Sequence, residues 1–131
     1  MYCLDTDIVI SFLKNDFAAV SRVKKLQSLG EDIAITTLTL CELYKGAFLS
    51  VKSDESLGFV NKFLETVTLL PQSKTSCLLF GQDYAHLKKN GLMTQLMDLM
   101  IATVCKANNR TLITRNIKDF KNIPDLVVNA W

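Results

Sequence analysis

The chain has little glycine, proline or histidine, and these shortages exclude several classes of protein. Two prolines, five glycines and 49% hydrophobic residues among 131 are typical of an ordered globular chain. The single histidine, His86, has no serine or cysteine in a recognisable relation to it, so a catalytic triad is not supported. The chain also lacks a glycine-rich phosphate loop and a dinucleotide-binding fingerprint, which argues against nucleoside triphosphates and NAD as ligands.

Long apolar runs, paired cysteines and a strong net charge are also missing. No run approaches the about 18 apolar residues of a membrane helix, and acidic residues interrupt the only N-terminal stretch that could serve as a secretory signal. We therefore expect a cytoplasmic protein. Four cysteines lie among apolar neighbours without a Cys-x-x-Cys pair, which predicts buried free thiols rather than zinc ligands or disulfides: Cys3, Cys41, Cys77 and Cys105. A net charge of +2 neither indicates nor excludes a nucleic-acid ligand.

Strand-like and helix-like segments alternate along the chain. Short apolar segments predict strands at residues 1–4, 33–35, 67–70, 110–114 and 126–128. Amphipathic or apolar segments predict helices near residues 7–13, 16–29, 40–49, 51–66, 73–90 and 96–107. This alternation predicts an α/β fold, a three-layer α/β/α sandwich with a central, mostly parallel sheet, formed by one domain that spans residues 1–131.

Acidic and amide side chains recur where the predicted strands end. Asp5 ends the first strand, Glu42 opens the helix after the second, Asp98 lies in the first turn of an apolar helix, and Asn116 follows the fourth strand. In a parallel sheet these positions share one edge. Three converging carboxylates repel one another unless a cation holds them, and hard oxygen ligands favour Mg²⁺ or Mn²⁺. Such ions catalyse phosphodiester hydrolysis.

Each of these acids also has a purely structural interpretation. Asp7 can cap the first helix, Glu42 can pair with Lys45 on a solvated face, and Asp98 can interact with the amino end of its helix. Gly46, one turn after Glu42, suggests that something approaches the helix closely there. Four cations near the predicted edge are candidates for contacts with a polymeric phosphate backbone: Lys14, Lys45, Arg115 and Lys118.

Four segments in this order and spacing resemble a PIN domain of the VapC toxin type over essentially the whole chain: Leu4–Asp7, Cys41–Ala47, Asp98–Ala102 and Leu112–Asn116 continuing to Phe120. The resemblance implies a magnesium-dependent endoribonuclease, the toxin of a type II toxin–antitoxin pair. It also implies a small antitoxin that wraps the toxin and blocks the site, and a homodimer.

By position, Asp5, Glu42 and Asp98 resemble the three acids with which that family holds the metal and the water. Asn116 falls where many members have a fourth acid, so a second ion would be held more weakly. The resemblance also implies that Thr114 orients a ligand or water. We expect Thr6 and Asp7 to support the site rather than to react.

Two other functions remain open. Asp5-Thr6-Asp7 after a strand, with Thr114 after a later one, also looks like a haloacid-dehalogenase-type phosphatase with Asp5 as its nucleophile. That family expects a lysine and then an acidic pair beyond the threonine, where only Asp119 and Asp125 remain as acids. The second alternative is a non-catalytic PIN-like module that binds RNA or a protein. Three intact, mutually repelling acids argue against such a module.

Overall fold

A sheet of five short parallel strands forms the centre of the protein, in the order β3-β2-β1-β4-β5. The structure is a computed structural model and describes all residues from 1 to 131. The strands are β1 (Tyr2–Leu4), β2 (Ile33–Thr36), β3 (Thr68–Leu70), β4 (Thr111–Thr114) and β5 (Val128–Ala130). Because β1 is the middle strand, the residue that follows it lies between the ends of β2 and β4.

Six α-helices connect and cover the strands: α1 (Thr6–Leu13), α2 (Phe17–Ser28), α3 (Thr37–Leu49), α4 (Ser53–Leu64), α5 (Lys74–Lys89) and α6 (Leu96–Ala107). A short 3₁₀ helix, Ile117–Asp119, follows β4. None of the helices has the length and apolar character that crossing a membrane requires.

The core consists of two apolar layers, one on each face of the sheet. Successive strand residues point to opposite faces, so Cys3 packs with α5 and α6 whereas Leu4 packs with α1, α3 and α4. Strand residues are buried on both faces, as expected where helices cover a parallel sheet on both sides. The predicted three-layer α/β/α architecture is therefore confirmed.

The boundaries of several elements differ from the prediction by one to three residues. Helix α1 begins at Thr6 because Asp5 is its N-cap, and α3 begins at Thr37 with Thr36 as its cap, which places Glu42 in the second turn. Strand β5 lies two residues later than predicted. The chain is still turning at Asp125, whose backbone has a positive φ of 58°.

Two of the four cysteines are not buried as predicted. Cys3 and Cys105 are buried, but Cys41 and Cys77 are exposed, and all four are free thiols. Helix α5 explains one error. It buries Ser76, Asp83 and Leu87, so the predicted inward face that included Cys77 and Leu78 is displaced around the helix. His86 is exposed on α5.

An ion pair inside the α5–α6 layer fixes the two helices relative to each other. The Lys106 ammonium of α6 donates to the Asp83 carboxylate of α5 over 2.7 Å, and both side chains are nearly inaccessible to solvent. Because α6 also carries Asp98, this pair contributes to the position of that acid at the other end of the helix.

Candidate active site

Asp5 lies at the carboxyl edge of the sheet, directly after the middle strand, and hydrogen bonds fix both its backbone and its carboxylate. Its backbone amide donates to the carbonyl of Ile113 over 2.9 Å, which continues the ladder between β1 and β4. One carboxylate oxygen accepts from the Thr6 amide at 2.9 Å, and the other accepts from the Thr114 hydroxyl at 2.8 Å. With only 5% of its surface exposed, the carboxylate has a fixed orientation.

Asp7 is tied to the segment after β4 and does not cap α1, so the capping interpretation was wrong. Its Oδ2 atom accepts from the backbone amide of Arg115 at 3.2 Å and from the side-chain amide of Asn116 at 3.1 Å. The Asn116 backbone amide in turn donates to the Thr114 hydroxyl over 3.0 Å. The second oxygen of Asp7, Oδ1, is buried and has no hydrogen-bond partner.

Helix α3 brings Glu42 to the same edge. Hydroxyl groups of Thr6 and Thr39 are hydrogen-bonded at 3.1 Å, which joins the first turn of α1 to the first turn of α3. Glu42 follows Thr39 by three residues, so it lies one turn further along the same side. It is half-buried and takes part in none of the four ion pairs, so the alternative pairing with Lys45 is not present.

Gly46 lines an open groove between α1, α3 and α4 that also includes Glu42 and Lys14. Beyond its chain neighbours and the backbone of its own helix, no protein atom lies within 4 Å of the position that a Cβ atom would occupy there. The predicted close approach is therefore not made by another part of the chain, and an approach by a bound molecule stays a prediction.

Helix α6 supplies Asp98 in its first turn, as predicted. The carboxylate is half-buried, and the next residue, Leu99, is fully buried in the core. Gln95 occupies the N-cap position without making a side-chain capping bond.

Burial and mutual repulsion raise the pKa of two of these acids. Burial, followed by the charge of Asp7 and less strongly that of Asp98, raises the pKa of Asp5 to about 7, although hydrogen bonds from Thr114 and Thr6 oppose the change. Burial also raises the pKa of Asp98 to about 6, followed by the charges of Asp119, Glu42 and Asp7. Asp5 and Asp98, together with the acids whose charges act on them, make a group of five carboxylates at one edge of the sheet: Asp5, Asp7, Glu42, Asp98 and Asp119.

Asp119 is the site residue that the sequence prediction missed. It was considered only for the phosphatase alternative, yet its charge is the largest charge effect on the pKa of Asp98. It closes the 3₁₀ turn after β4, three residues beyond Asn116. The signal in the sequence that could have identified Asp119 is an acidic residue in a short turn directly after a strand.

The donor set of this edge fits a divalent cation. All the candidate ligands are oxygens, which favours Mg²⁺ or Mn²⁺ over zinc, and the buried Asp7 Oδ1 atom lacks a donor. Asn116 commits its amide nitrogen to Asp7, which leaves its amide oxygen available. As the side chains stand, no three acids, histidines or cysteines converge closely enough to hold an ion. Like charges hold carboxylates apart, and a cation draws them together.

The four predicted substrate cations lie in different surroundings. Lys118 lines a cavity beside Asp119, Lys14 lines the groove next to Glu42, and Lys45 is exposed on α3. The Arg115 guanidinium instead donates to Asp16 at 2.8 Å and to the hydroxyl of Ser11 at 3.0 Å, so it is held against the α1–α2 turn.

A central parallel sheet with an acidic carboxyl edge defines the class of this protein. Residues 2–126 match the PIN domain family, and the chain belongs to that family. This membership argues against the phosphatase alternative.

Within the family, the chain is similar to proteins of the VapC type. It is 34% identical over 132 residues to ribonuclease VapC1 of Haemophilus influenzae (strain R2866). It is 30% identical over 131 residues to ribonuclease VapC2 of Rickettsia felis. In both cases the alignment covers 100% of this chain and 98% of the relative. The crystal structure of VapBC2 from Rickettsia felis, bound to a promoter DNA fragment, contains a chain that superposes with a TM-score of 0.92 at 30% identity, covering 99% of this chain and 98% of that one.

Proposed function

We propose that the protein is an endoribonuclease that hydrolyses RNA phosphodiester bonds with Mg²⁺ or Mn²⁺, and that it is the toxin of a type II toxin–antitoxin pair. The observation that carries the proposal is the cluster of five carboxylates at the carboxyl edge of the sheet, in a chain whose relatives are named ribonucleases. We place this activity in the cytoplasm, where the RNA substrate is found and where free thiols like the four in this chain persist.

Each acid has an assigned role in this proposal. Asp5, Glu42 and Asp98 hold the cation, Asn116 contributes its amide oxygen more weakly, and Asp119 adds a fifth carboxylate beside Asp98. A bound divalent cation supplies Lewis-acid chemistry: it neutralises charge on the phosphate and lowers the pKa of an attacking water.

Several neighbouring residues position these acids. Thr114 fixes the Oδ2 atom of Asp5, and Thr6 links α1 to the helix that carries Glu42. Asp7 holds the segment after β4 against α1 through its Oδ2 atom, and its buried Oδ1 atom has no donor.

In this proposal, lysine side chains near the acidic edge bind the phosphates of the RNA backbone. Lys118, Lys14 and Lys45 contact phosphates, because exposed ammonium groups bind a polyanion without sequence preference. Arg115 contributes less than the lysines, since its guanidinium already pairs with Asp16.

The small antitoxin is a protein partner in this proposal, supported by the toxin–antitoxin complex to which the chain is similar. The groove between α1, α3 and α4, about 350 Å³ in volume, offers it an apolar surface that includes Ile10, Leu13 and Phe59 and reaches Glu42. A partner bound there would neutralise the acidic edge if it presented a cation to Glu42. The homodimer stays a prediction, which light scattering of the antitoxin-free protein would test.

The deciding experiment is cleavage of a mixed cellular RNA pool by antitoxin-free protein in Mg²⁺, in Mn²⁺ and in EDTA. Asp5→Asn and Asp98→Asn each remove one negative charge from the cluster and should abolish metal-dependent cleavage. Asp54→Asn makes the same change at an exposed position in the first turn of α4 and should cleave like the wild type. If the wild type cleaves equally in EDTA, or neither cleaves RNA nor binds metal, the nuclease assignment fails and a binding module becomes the better interpretation.

A further inference from the structure

A cavity of about 330 Å³ opens beside Asp119. It lies between the loop that joins α5 to α6 and the chain that follows β4. Part of its lining is apolar, from Leu87, Leu92, Met93 and Ile123, and its polar groups are those of Thr94, Gln95, Lys118, Asp119 and Asn122. This volume is at the small end of ligand pockets, which run from about 300 to 1,000 Å³.

The cavity wall is held in place by the fold. The Thr94 hydroxyl donates to the backbone carbonyl of Asp119 over 2.7 Å and so joins the two segments that form the wall. Gly91 follows the C-cap of α5 and has a φ of 65°, and the Leu92 amide donates to the carbonyl of Leu87 over 2.9 Å. A ligand would therefore enter a site that is already formed.

The polar groups around the cavity are available for a ligand. Gln95 makes no capping hydrogen bond although it occupies the N-cap position of α6, and its side chain is exposed. Lys118 is exposed and belongs to none of the four ion pairs of the chain. Asn122 is exposed as well.

We propose that this cavity binds one unpaired base of the RNA next to the cleaved phosphodiester, and that Gln95 and Asn122 select that base. The inference rests on the proposed ribonuclease function. Gln95 connects the two sites, because it lines the cavity and is the N-cap of α6, three residues and about one turn before Asp98 on the same side of that helix. One helical turn rises about 5.4 Å, so a base in the cavity lies next to the acids that act on the phosphate.

The chemistry of the lining matches a base and its phosphate. Apolar side chains pack against the faces of a base that has left its stack, and side-chain amides read its hydrogen-bonding edge with a donor and an acceptor. A paired base keeps that edge occupied, so the substrate position must be unpaired. Lys118 at the rim is suited to the adjoining phosphate.

The test uses a pool of RNA hairpins with randomised loops, cleaved in Mg²⁺, with the fragment ends sequenced. We expect the wild type to prefer one base at a fixed position beside the cut. Gln95→Ala with Asn122→Ala should reduce that preference by about tenfold, as expected when one good amide–base contact is lost, while cleavage continues. Gln82→Ala, an exposed amide that lines a different cavity, serves as the matched control and should leave the preference unchanged.

A second measurement does not depend on cleavage. Each of the four nucleoside monophosphates is titrated into isotope-labelled protein in EDTA, and the side-chain amide resonances of Gln95 and Asn122 are followed. We expect one nucleotide to shift them more than the others do. Metal-dependent cleavage with an unaltered preference in the double variant, together with unmoved amide resonances, would overturn the subsite and leave the ribonuclease function intact. Shifted resonances without any metal-dependent cleavage would overturn the ribonuclease function instead.

Discussion

Replacing Asp5 with asparagine should make the metal-free protein more stable at alkaline pH while it removes activity. The pKa of Asp5 is raised from 3.8 to about 7, so the folded protein keeps a proton that the unfolded chain has already released. As the pH rises from about 4 to about 7, the free energy of unfolding of the metal-free wild type therefore falls, by roughly 4 kcal/mol at most. An asparagine at this position does not titrate, so the variant escapes that loss.

The variant also loses part of its hydrogen bonding. Asparagine has one acceptor oxygen where the carboxylate has two, so either the bond from Thr6 or the bond from Thr114 is lost, at about 1 to 2 kcal/mol. As an N-cap, asparagine is as good as aspartate. We expect Asp5→Asn to be roughly 2 to 3 kcal/mol more stable than the wild type near pH 8, and slightly less stable near pH 4.

Urea unfolding in EDTA across this pH range measures the effect, with Asp54→Asn as the exposed control. The control should follow the wild type to within about 0.5 kcal/mol at every pH. Adding Mg²⁺ should stabilise the wild type near pH 8 more than it stabilises Asp5→Asn, because the cation binds the carboxylate of the folded state. A wild-type stability that stays level across this range, or a variant that is less stable near pH 8, would refute the reasoning.

Three further substitutions test other contacts. Asp119→Asn should weaken Mg²⁺ binding by roughly 10- to 100-fold in titration calorimetry, and unchanged binding would remove this acid from the site. Thr114→Val should raise the pKa of Asp5 further, because it removes a hydrogen bond to the charged form of the carboxyl. The pH–activity profile should then move to higher pH, and Thr114→Ser should return the profile to its wild-type position. Asp83→Leu should lower the free energy of unfolding by about 3 to 5 kcal/mol, because it leaves Lys106 buried without its partner. The double variant, Asp83→Leu with Lys106→Met, should recover most of that loss; urea unfolding measures both.

The alternation of short apolar segments with amphipathic ones was enough to predict the parallel sheet and its covering helices. The same pattern predicted that Asp5 and Asp98 share an edge, because parallel strands all end on one side. These features depend on local periodicity and on the direction of the strands. Both can be determined from the order of residues along the chain.

The tertiary structure decided which side chains meet at that edge. Asp119 approaches Asp98 because the turn after β4 folds back and is joined to Thr94 by a hydrogen bond over 25 positions of the chain. Asp7 exchanged its predicted capping role for contacts with Asn116, 109 positions away.

The orientation of mixed helices also needed the tertiary structure. On α5, apolar and polar residues occur on every side, so the periodicity did not reveal that Ser76 and Asp83 face the core while Cys77 faces solvent. Asp83 is buried because Lys106 of the next helix neutralises it. The sequence by itself determined the fold and the edge where acids collect. Contacts between residues far apart in the chain determined which acids interact and which helix faces are buried, because they depend on distances that no local pattern contains.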